Sequence, residues 1–458
     1  MSRLRHSKSR SKSTFLIFFF LLLTGCGAVV FFLFFEGEKP NLALDSPLTY
    51  LGKNSLVEIS AADNKSGLRQ LRVKISQGEV VKELYLEQFP RKGVTGVVGE
   101  PQKMVKIPFN PAESGFKDGP AQIVLEAYDY SLRGLIKGNR TSISKELSID
   151  TTPPKVSVLH SEQYINPGGT GIAIYRLTDP EITSGVQIND RFHPGFLVGD
   201  GRDDTFISFF ALHYSANGLD SSFVVATDPA GNTTRIPFSV VFKKKKFRQD
   251  RINVSDGFLD KKIPEFMQYY PEMAGTMVDK YLYTNNEIRI KNNNKISELC
   301  GSPHNQRLWE GKFYRMPGSS RAGFADHRTY YYGDKPIDRQ VHLGIDLAST
   351  RKTEVKAAEA GIVIFADYLG IYGNMVMIDH GQGVFSLYSH LSQIDVVPND
   401  QVNRGIVIGL TGTTGMAGGD HLHFSMLING VFVTPKEWWD QNWIDVTIED
   451  PLTESRFQ

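Results

Sequence analysis

His421-Leu422-His423-Phe424-Ser425-Met426 is the stretch on which the reading of this chain turns. Alternate residues on a β-strand point to one face, roughly 7 Å apart. His421 and His423 can therefore face one cleft, one binding a metal while the other stands beside it. The neighbouring segments are also strand-like. Gly361-Ile362-Val363-Ile364-Phe365-Ala366, Asn374-Met375-Val376-Met377-Ile378-Asp379 and Val384-Phe385-Ser386-Leu387-Tyr388 are short apolar runs bounded by turn residues. The last of them leads into Ser389-His390-Leu391-Ser392.

Upstream, His342-Leu343-Gly344-Ile345-Asp346 sets an imidazole and a carboxylate four positions apart. A straight strand would separate them by about 13 Å. Side chains on one zinc ion need donor atoms about 3 to 3.5 Å apart, given bonds of about 2.0 to 2.2 Å. The chain is therefore expected to bend between them, with Gly344 as the residue that permits it. Two imidazoles and one carboxylate, with a fourth place left for water, describe a catalytic rather than a structural zinc site.

The chain has 458 residues, which suggests about three domains. A 41% hydrophobic fraction supplies ordinary cores and excludes a mostly disordered chain. Mean hydropathy of -0.24 excludes a polytopic membrane protein. A net charge of +1 argues against a dedicated nucleic-acid binder. Two cysteines, Cys26 and Cys300, exclude a disulfide scaffold and a four-cysteine zinc site.

Residues 1–13 are basic, and an uncharged apolar run covers 14–35. As a helix that run would rise roughly 30 Å, enough to cross a bilayer. Basic residues ahead of a span favour a cytoplasmic N-terminus. The expectation is a single-pass anchor in the inner membrane with the remainder periplasmic. A lipidated Cys26, in Leu23-Thr24-Gly25-Cys26, is the competing reading.

Residues 41–247 alternate short strand-like runs with turn residues, which points to sandwiches. Ala127-Tyr128-Asp129-Tyr130-Ser131 is echoed by Ala226-Thr227-Asp228-Pro229-Ala230 about one sandwich length later. Thr151-Thr152-Pro153-Pro154 suits a junction, and Asp228 to Asn232 suits a hairpin turn. The segments 41–150 and 151–247 resemble bacterial immunoglobulin-like repeats. A helical connector is expected over 248–300, with Asp256 capping a short helix that Pro264 interrupts. The expected fold is thus mostly β: a transmembrane helix, two immunoglobulin-like sandwiches, a short helical connector, and a C-terminal antiparallel sheet domain over 301–447.

From 341 to 439 the chain resembles the lysostaphin-like (LytM-type) zinc metallopeptidases that cut peptidoglycan cross-bridges. The resemblance rests on His342-x-x-x-Asp346, Val355-x-Ala357-Ala358, Tyr372-Gly373-Asn374, Ile378-Asp379-His380-Gly381 and Tyr388-x-His390-Leu391. Gly409-x-x-Gly412-x-Thr414-Gly415 and His421-Leu422-His423-Phe424 complete it in order. It implies His342, Asp346 and His423 as Zn2+ ligands. His390 and His421 would be the unliganded pair that handles the water proton and the tetrahedral intermediate. It also implies an antiparallel sheet core with a groove for an extended peptide, and a peptidoglycan peptide as substrate. Relatives often carry a tyrosine a few residues before the first ligand. Tyr330, Tyr331 and Tyr332 lie at least ten positions upstream, which speaks against that role for them.

His380 follows a strand and is expected to make a structural hydrogen bond, and Trp438 and Trp439 to pack the domain edge. The leading reading is a membrane-anchored zinc endopeptidase of the cell wall. The alternative is a catalytically silent relative that activates or scaffolds other wall hydrolases. An iron(II) oxygenase also uses two histidines and a carboxylate, but with a more closely spaced first pair. The bond cut, a D-alanyl to diaminopimelate link or a glycine bridge, is not legible.

Overall fold

The computed structural model of the chain describes residues 10–457, apart from 46–47, 134–136, 162 and 180–181. The chain is mostly β with few helices. It divides into two compact units, 1–153 with 228–232, and 154–227 with 233–458.

The apolar run forms a helix, Arg10–Phe34, with Phe15, Phe18 and Leu21 exposed. The expected single-pass placement in the inner membrane, with a periplasmic C-terminal part, requires correction. Among the described residues, no helix is long and apolar enough to cross a membrane. Of the basic leader, residues 1–9 lie outside the described residues.

In the first unit, Ser55–Ala62 pairs with Asn41–Leu44 and Gln102–Phe109. A second sheet runs in the order Tyr50–Leu51, Arg140–Ile149, Gly119–Asp129, Leu68–Gln77, Val80–Gln88. Period-2 burial makes these strands. Val57, Ile59 and Ala61 from one sheet face Leu71, Val73, Ile75, Ile123 and Leu125 from the other in one core. The two echoed aspartates both close turns. Asp129 Oδ1 accepts from Asn139 N at 2.6 Å, and Asp228 Oδ1 accepts from Asn232 N at 2.8 Å.

In the second unit, Thr170–Leu177 and Thr205–Ala211 pair at the centre of a four-stranded sheet. This sheet is buried on both faces. Ala173, Tyr175, Phe206 and Phe210 face a second sheet built around Thr183–Ile188 and Ser222–Thr227. Ile172, Ile174, Ile207 and Phe209 face the other way, into the core of the C-terminal sheet. There Phe209 meets Trp309 and Trp438, each at 6.2 Å between ring centroids. Trp438 is fully buried with Phe313 at 5.2 Å, so it belongs to the middle of a core rather than to an edge.

The connector begins as a strand, Gln249–Val254, paired with His327–Tyr332, before its helices start. Ser255, not Asp256, caps the first helix by accepting from Phe258 N. That helix, Asp256–Tyr269, runs through Pro264. Burial of Leu259, Ile263 and Phe266 outweighs the one backbone hydrogen bond that proline forfeits. Two further helices, Met277–Tyr283 and Arg289–Leu299, follow.

The C-terminal sheet runs in the order Ser319–Ala322, Ile345–Ala348, Leu422–Ile428, Val384–Ile394, Asn374–Asp379, Gly361–Tyr368, Gln401–Val402. Its strand neighbours are antiparallel. Residues 384–391 are all buried, so this strand shows no polar alternation. Within it, Asp346 stands opposite His423, and Ser389 stands opposite His423 from the other side.

Candidate metal centre

Strand pairing carries Asp346 and His423 to one point, and the residues leading into Ile345–Ala348 bring His342 to the same point. His342 Nε2, Asp346 Oδ1 and His423 Nδ1 form a triangle whose three sides are each 2.9 Å. All three residues are buried. Each imidazole is held from behind. His342 Nδ1 lies 2.8 Å from the Gly323 carbonyl, to which it donates, which leaves Nε2 as a lone pair. His423 Nε2 lies 3.1 Å from Ser425 Oγ, which leaves Nδ1 facing inward. Two imidazole lone pairs and a carboxylate oxygen thus converge, an arrangement that repels unless a cation sits among them. Tetrahedral bonds of about 2.0 to 2.2 Å need donors about 3 to 3.5 Å apart, so an opening of a few tenths of an ångström suffices for a divalent ion.

The charge states suit such an ion. Burial pushes the Asp346 carboxyl upward, but the surrounding imidazoles, His342 foremost, hold it well below the usual carboxylate range. Burial lowers His423 to about 4, so it is neutral near pH 7. Arg328 Nη2 holds Asp346 Oδ2 at 3.2 Å, which leaves Oδ1 as the ligand oxygen.

Gly344 is needed for a different reason from the one expected. Its φ lies outside the left-handed region, so the bend asks for no special backbone conformation there. A Cβ at this position would meet His423 Nε2, the Phe424 carbonyl and Ser425 Oγ, each at 2.6 Å. The glycine keeps space for the ligand imidazole and its supporting hydroxyl. Gly344→Ala is therefore expected to lower metal affinity about 10- to 100-fold, as loss of an outer-shell support does. Calorimetric titration of the folded variant with Zn2+ checks this; unchanged affinity would refute it.

His390 and His421 stand beside the triangle. Their rings are 4.9 Å apart, and His390 is 5.8 Å from the His423 ring. His421 Nε2 lies 3.5 Å from Asp346 Oδ1, while its Nδ1 is 2.8 Å from the Gly419 carbonyl. Burial tends to lower His421, but the Asp346 carboxylate reverses this and its net shift is upward. His390 goes the other way: burial, then His421 and His423, hold it well below its usual range. The two partners thus lean to opposite protonation states.

A β-bulge aims His390. Asn374 pairs with Leu391 whereas Val376 pairs with Tyr388, so the strand Val384–Ile394 carries one extra residue between them. His390 adopts a left-handed φ of 65°, a conformation that costs a non-glycine residue about 1 kcal/mol or more. Its Nδ1 is 2.9 Å from the Thr414 carbonyl. The first connector helix grips that loop on both sides of Thr414. Buried Lys262 donates to the Thr413 carbonyl, and Glu265 Oε1 accepts from Gly415 N at 2.6 Å. Lys262→Met should loosen the loop and lower kcat about tenfold with zinc stoichiometry intact, comparable to loss of one hydrogen bond to a charged group. Steady-state kinetics of the zinc-loaded variant reads this; kcat equal to the parent's would count against the grip.

The cleft-lining residues outside the expected set include Arg289, Arg328 and Tyr330. Tyr330 reaches the cleft despite its distance in sequence. The hairpin of His327–Tyr332 with Lys335–Val341 sets Arg328 opposite Gln340 and Tyr330 opposite Asp338. Turn residues Gly333 and Asp334 between strand-like flanks are the signal that could have found it. His380 is fully buried and bonds Ala360 O and Ser386 Oγ, both at 2.7 Å, away from the triangle.

The family described as "Peptidase family M23" matches residues 340–435. Over 96 residues the chain is 44% identical to the DD-carboxypeptidase/endopeptidase Mpg of Neisseria meningitidis serogroup B, covering 21% of this chain and 22% of that protein. It is 31% identical over 173 residues to the peptidoglycan DD-endopeptidase ShyA of Vibrio cholerae serotype O1, covering 34% and 39%. It is 33% identical over 138 residues to the murein hydrolase activator EnvC of Escherichia coli, covering 30% of each chain. The chain spans less than half the length of these curated relatives.

Proposed function

The C-terminal region of this chain carries a peptidase M23 (LytM/lysostaphin-type) domain, and from that premise we propose that the protein is a zinc-dependent endopeptidase that hydrolyses peptide cross-links of peptidoglycan. The observation that carries this reading is the 2.9 Å triangle of His342 Nε2, Asp346 Oδ1 and His423 Nδ1, with two further imidazoles beside it. His342, Asp346 and His423 would hold Zn2+, which when bound supplies a Lewis acid and a water acidified to near neutral pKa.

The chain's own residues supply the rest. His390, kept neutral by burial, accepts a proton from the attacking water, with its ring fixed through Nδ1 on the Thr414 carbonyl. His421, kept towards its charged form by Asp346, donates to the developing oxyanion and then to the leaving amine. Arg328 keeps Asp346 ionised and turned the right way. We read the two sheet pairs ahead of this domain as immunoglobulin-like spacers over 41–150 and 151–247, and 248–300 as a connector that buttresses the site.

Similarity to EnvC keeps a second reading in view, an activator of other wall hydrolases. The complete donor set favours catalysis, because an activator needs neither three converging metal ligands nor an imidazole pair with one ring neutral and the other held towards its charged form. Mass spectrometry of sacculi digested with the zinc-loaded full chain tests the proposal. Release of peptides cut at one type of cross-link is expected. One equivalent of bound zinc with intact cross-links would select the activator.

A further inference from the structure

The strand His327–Tyr332 presents different chemistry on its two faces. Alternate residues on a strand point opposite ways, so Arg328 and Tyr330, which reach the metal cleft, share one face. His327 and Thr329 point the other way. Register sets Gln249 beside His327 on the parallel neighbour, and Arg339 beside Thr329 on the antiparallel one. With Tyr214, these residues line a separate cavity of about 540 Å³. Sites for small molecules have volumes of about 300 to 1,000 Å³.

Among the described residues, no carboxylate belongs to this lining. Arg339 is exposed, and its guanidinium has no hydrogen bond or ion pair among the described residues. Gln249 and Thr329 bring an amide and a hydroxyl, each able to donate and accept. Tyr214 brings an aromatic wall. A free guanidinium, amide and hydroxyl partners and one apolar side together complement a sugar ring that carries an acidic group.

A basic strip leads into the cavity. Lys243 to Lys246, Arg248 and Arg251 stand against Asp250 alone in this stretch. The strip is tied to the rim of the cavity. His327 N donates to the Arg248 carbonyl at 2.8 Å, and the Phe247 ring stacks on His327 at 6.2 Å between centroids. Asp250 neutralises Arg248 at 3.1 Å. Lys244 and Lys246 are exposed and, among the described residues, have no carboxylate partner. The whole chain has a net charge of only +1, so the strip is a local concentration of charge. Such a run repels itself and attracts an extended anion. A flat bilayer would meet the strip and miss the cavity, whereas a chain of acidic sugars occupies both.

We propose that this face of the sheet docks an acidic polysaccharide, with one acidic sugar seated against Arg339 and the polymer continuing along Lys244 and Lys246. The site goes beyond the hydrolase reading and shares no residue with the metal triangle. The same sheet forms a wall of the cleft, so a docked polymer lies one layer of backbone away from it.

The test titrates the zinc-loaded full chain with a polyuronate, neutral dextran, inorganic polyphosphate and phosphatidylglycerol vesicles. Binding is read by calorimetry, and hydrolysis of a small soluble cross-linked peptide by chromatography. The polyuronate should bind, more weakly as salt is raised, and dextran should not. Arg339→Gln should weaken polyuronate binding about tenfold, the loss of a hydrogen bond to a charged group, and Arg339→Lys should restore part of it. Lys244→Glu combined with Lys246→Glu should weaken it by a similar factor. Thermal unfolding confirms that each variant is intact, and each should cut the peptide at the parent's rate. Failure of the polyuronate to bind, or parent-like binding by Arg339→Gln, overturns the docking site even when the peptide is cut. Polyphosphate or vesicles bound as tightly as the polyuronate would show a general basic surface and overturn the sugar assignment. Selective polyuronate binding without peptide cleavage upholds the site and overturns the peptidase reading instead.

Discussion

His423→Ala is expected to abolish tight zinc binding and to lower peptide hydrolysis at least about a thousandfold, because a Lewis-acid metal contributes several kcal/mol to transition-state stabilisation. His423 contributes more than a donor atom. It stands between Asp346 on one neighbouring strand and Ser389 on the other. Its removal leaves His342 and Asp346, a pair too few to hold a catalytic ion against exchange with water. The fold should survive the change. Leu422 and Phe424 stay packed, and the converging lone pairs that crowd the site are reduced by one. Circular dichroism matching the parent, metal analysis showing no stoichiometric zinc, and loss of product form the expected set of results. A variant that keeps one equivalent of zinc and parent-like hydrolysis would remove the basis of the mechanism.

His390→Ala and His421→Ala should behave differently from that ligand variant. Each is expected to keep zinc at one equivalent and to lose about 10²- to 10⁴-fold in kcat, the usual contribution of a positioned acid or base. The reason lies in their fixed orientations. His390 spends Nδ1 on Thr414 O and His421 spends Nδ1 on Gly419 O, so each presents only Nε2 for exchange. Combining the two changes should cost less than the sum of the single losses, since residues that act on one proton path are not additive. Single-turnover kinetics with metal analysis on the same samples separates the two roles. Loss of zinc in either variant would move that histidine into the ligand set.

Much of this site is legible in the sequence, for reasons that differ from residue to residue. His421 and His423 are legible because a two-residue period puts both on one strand face. The bend between His342 and Asp346 follows from distance alone, but the reason for Gly344 does not. The clash it avoids involves Phe424 and Ser425, some eighty positions away in the chain. Arg289 and Arg328 are illegible for the same reason, since only the folded hairpin and helix bring them to the cleft. Pro264 reads as a break because local propensity says so, and buried Leu259, Ile263 and Phe266 override it. The apolar N-terminal run announces a helix correctly. Its placement in a bilayer is an inference from hydropathy that the described residues do not support. The bulge that turns His390 inward leaves no mark in composition at all.

The sheet formed by Thr170–Leu177 and Thr205–Ala211 serves two hydrophobic interiors at once. A chain trimmed to begin at residue 301 would uncover the sides of Trp309 and Trp438 that meet Phe209.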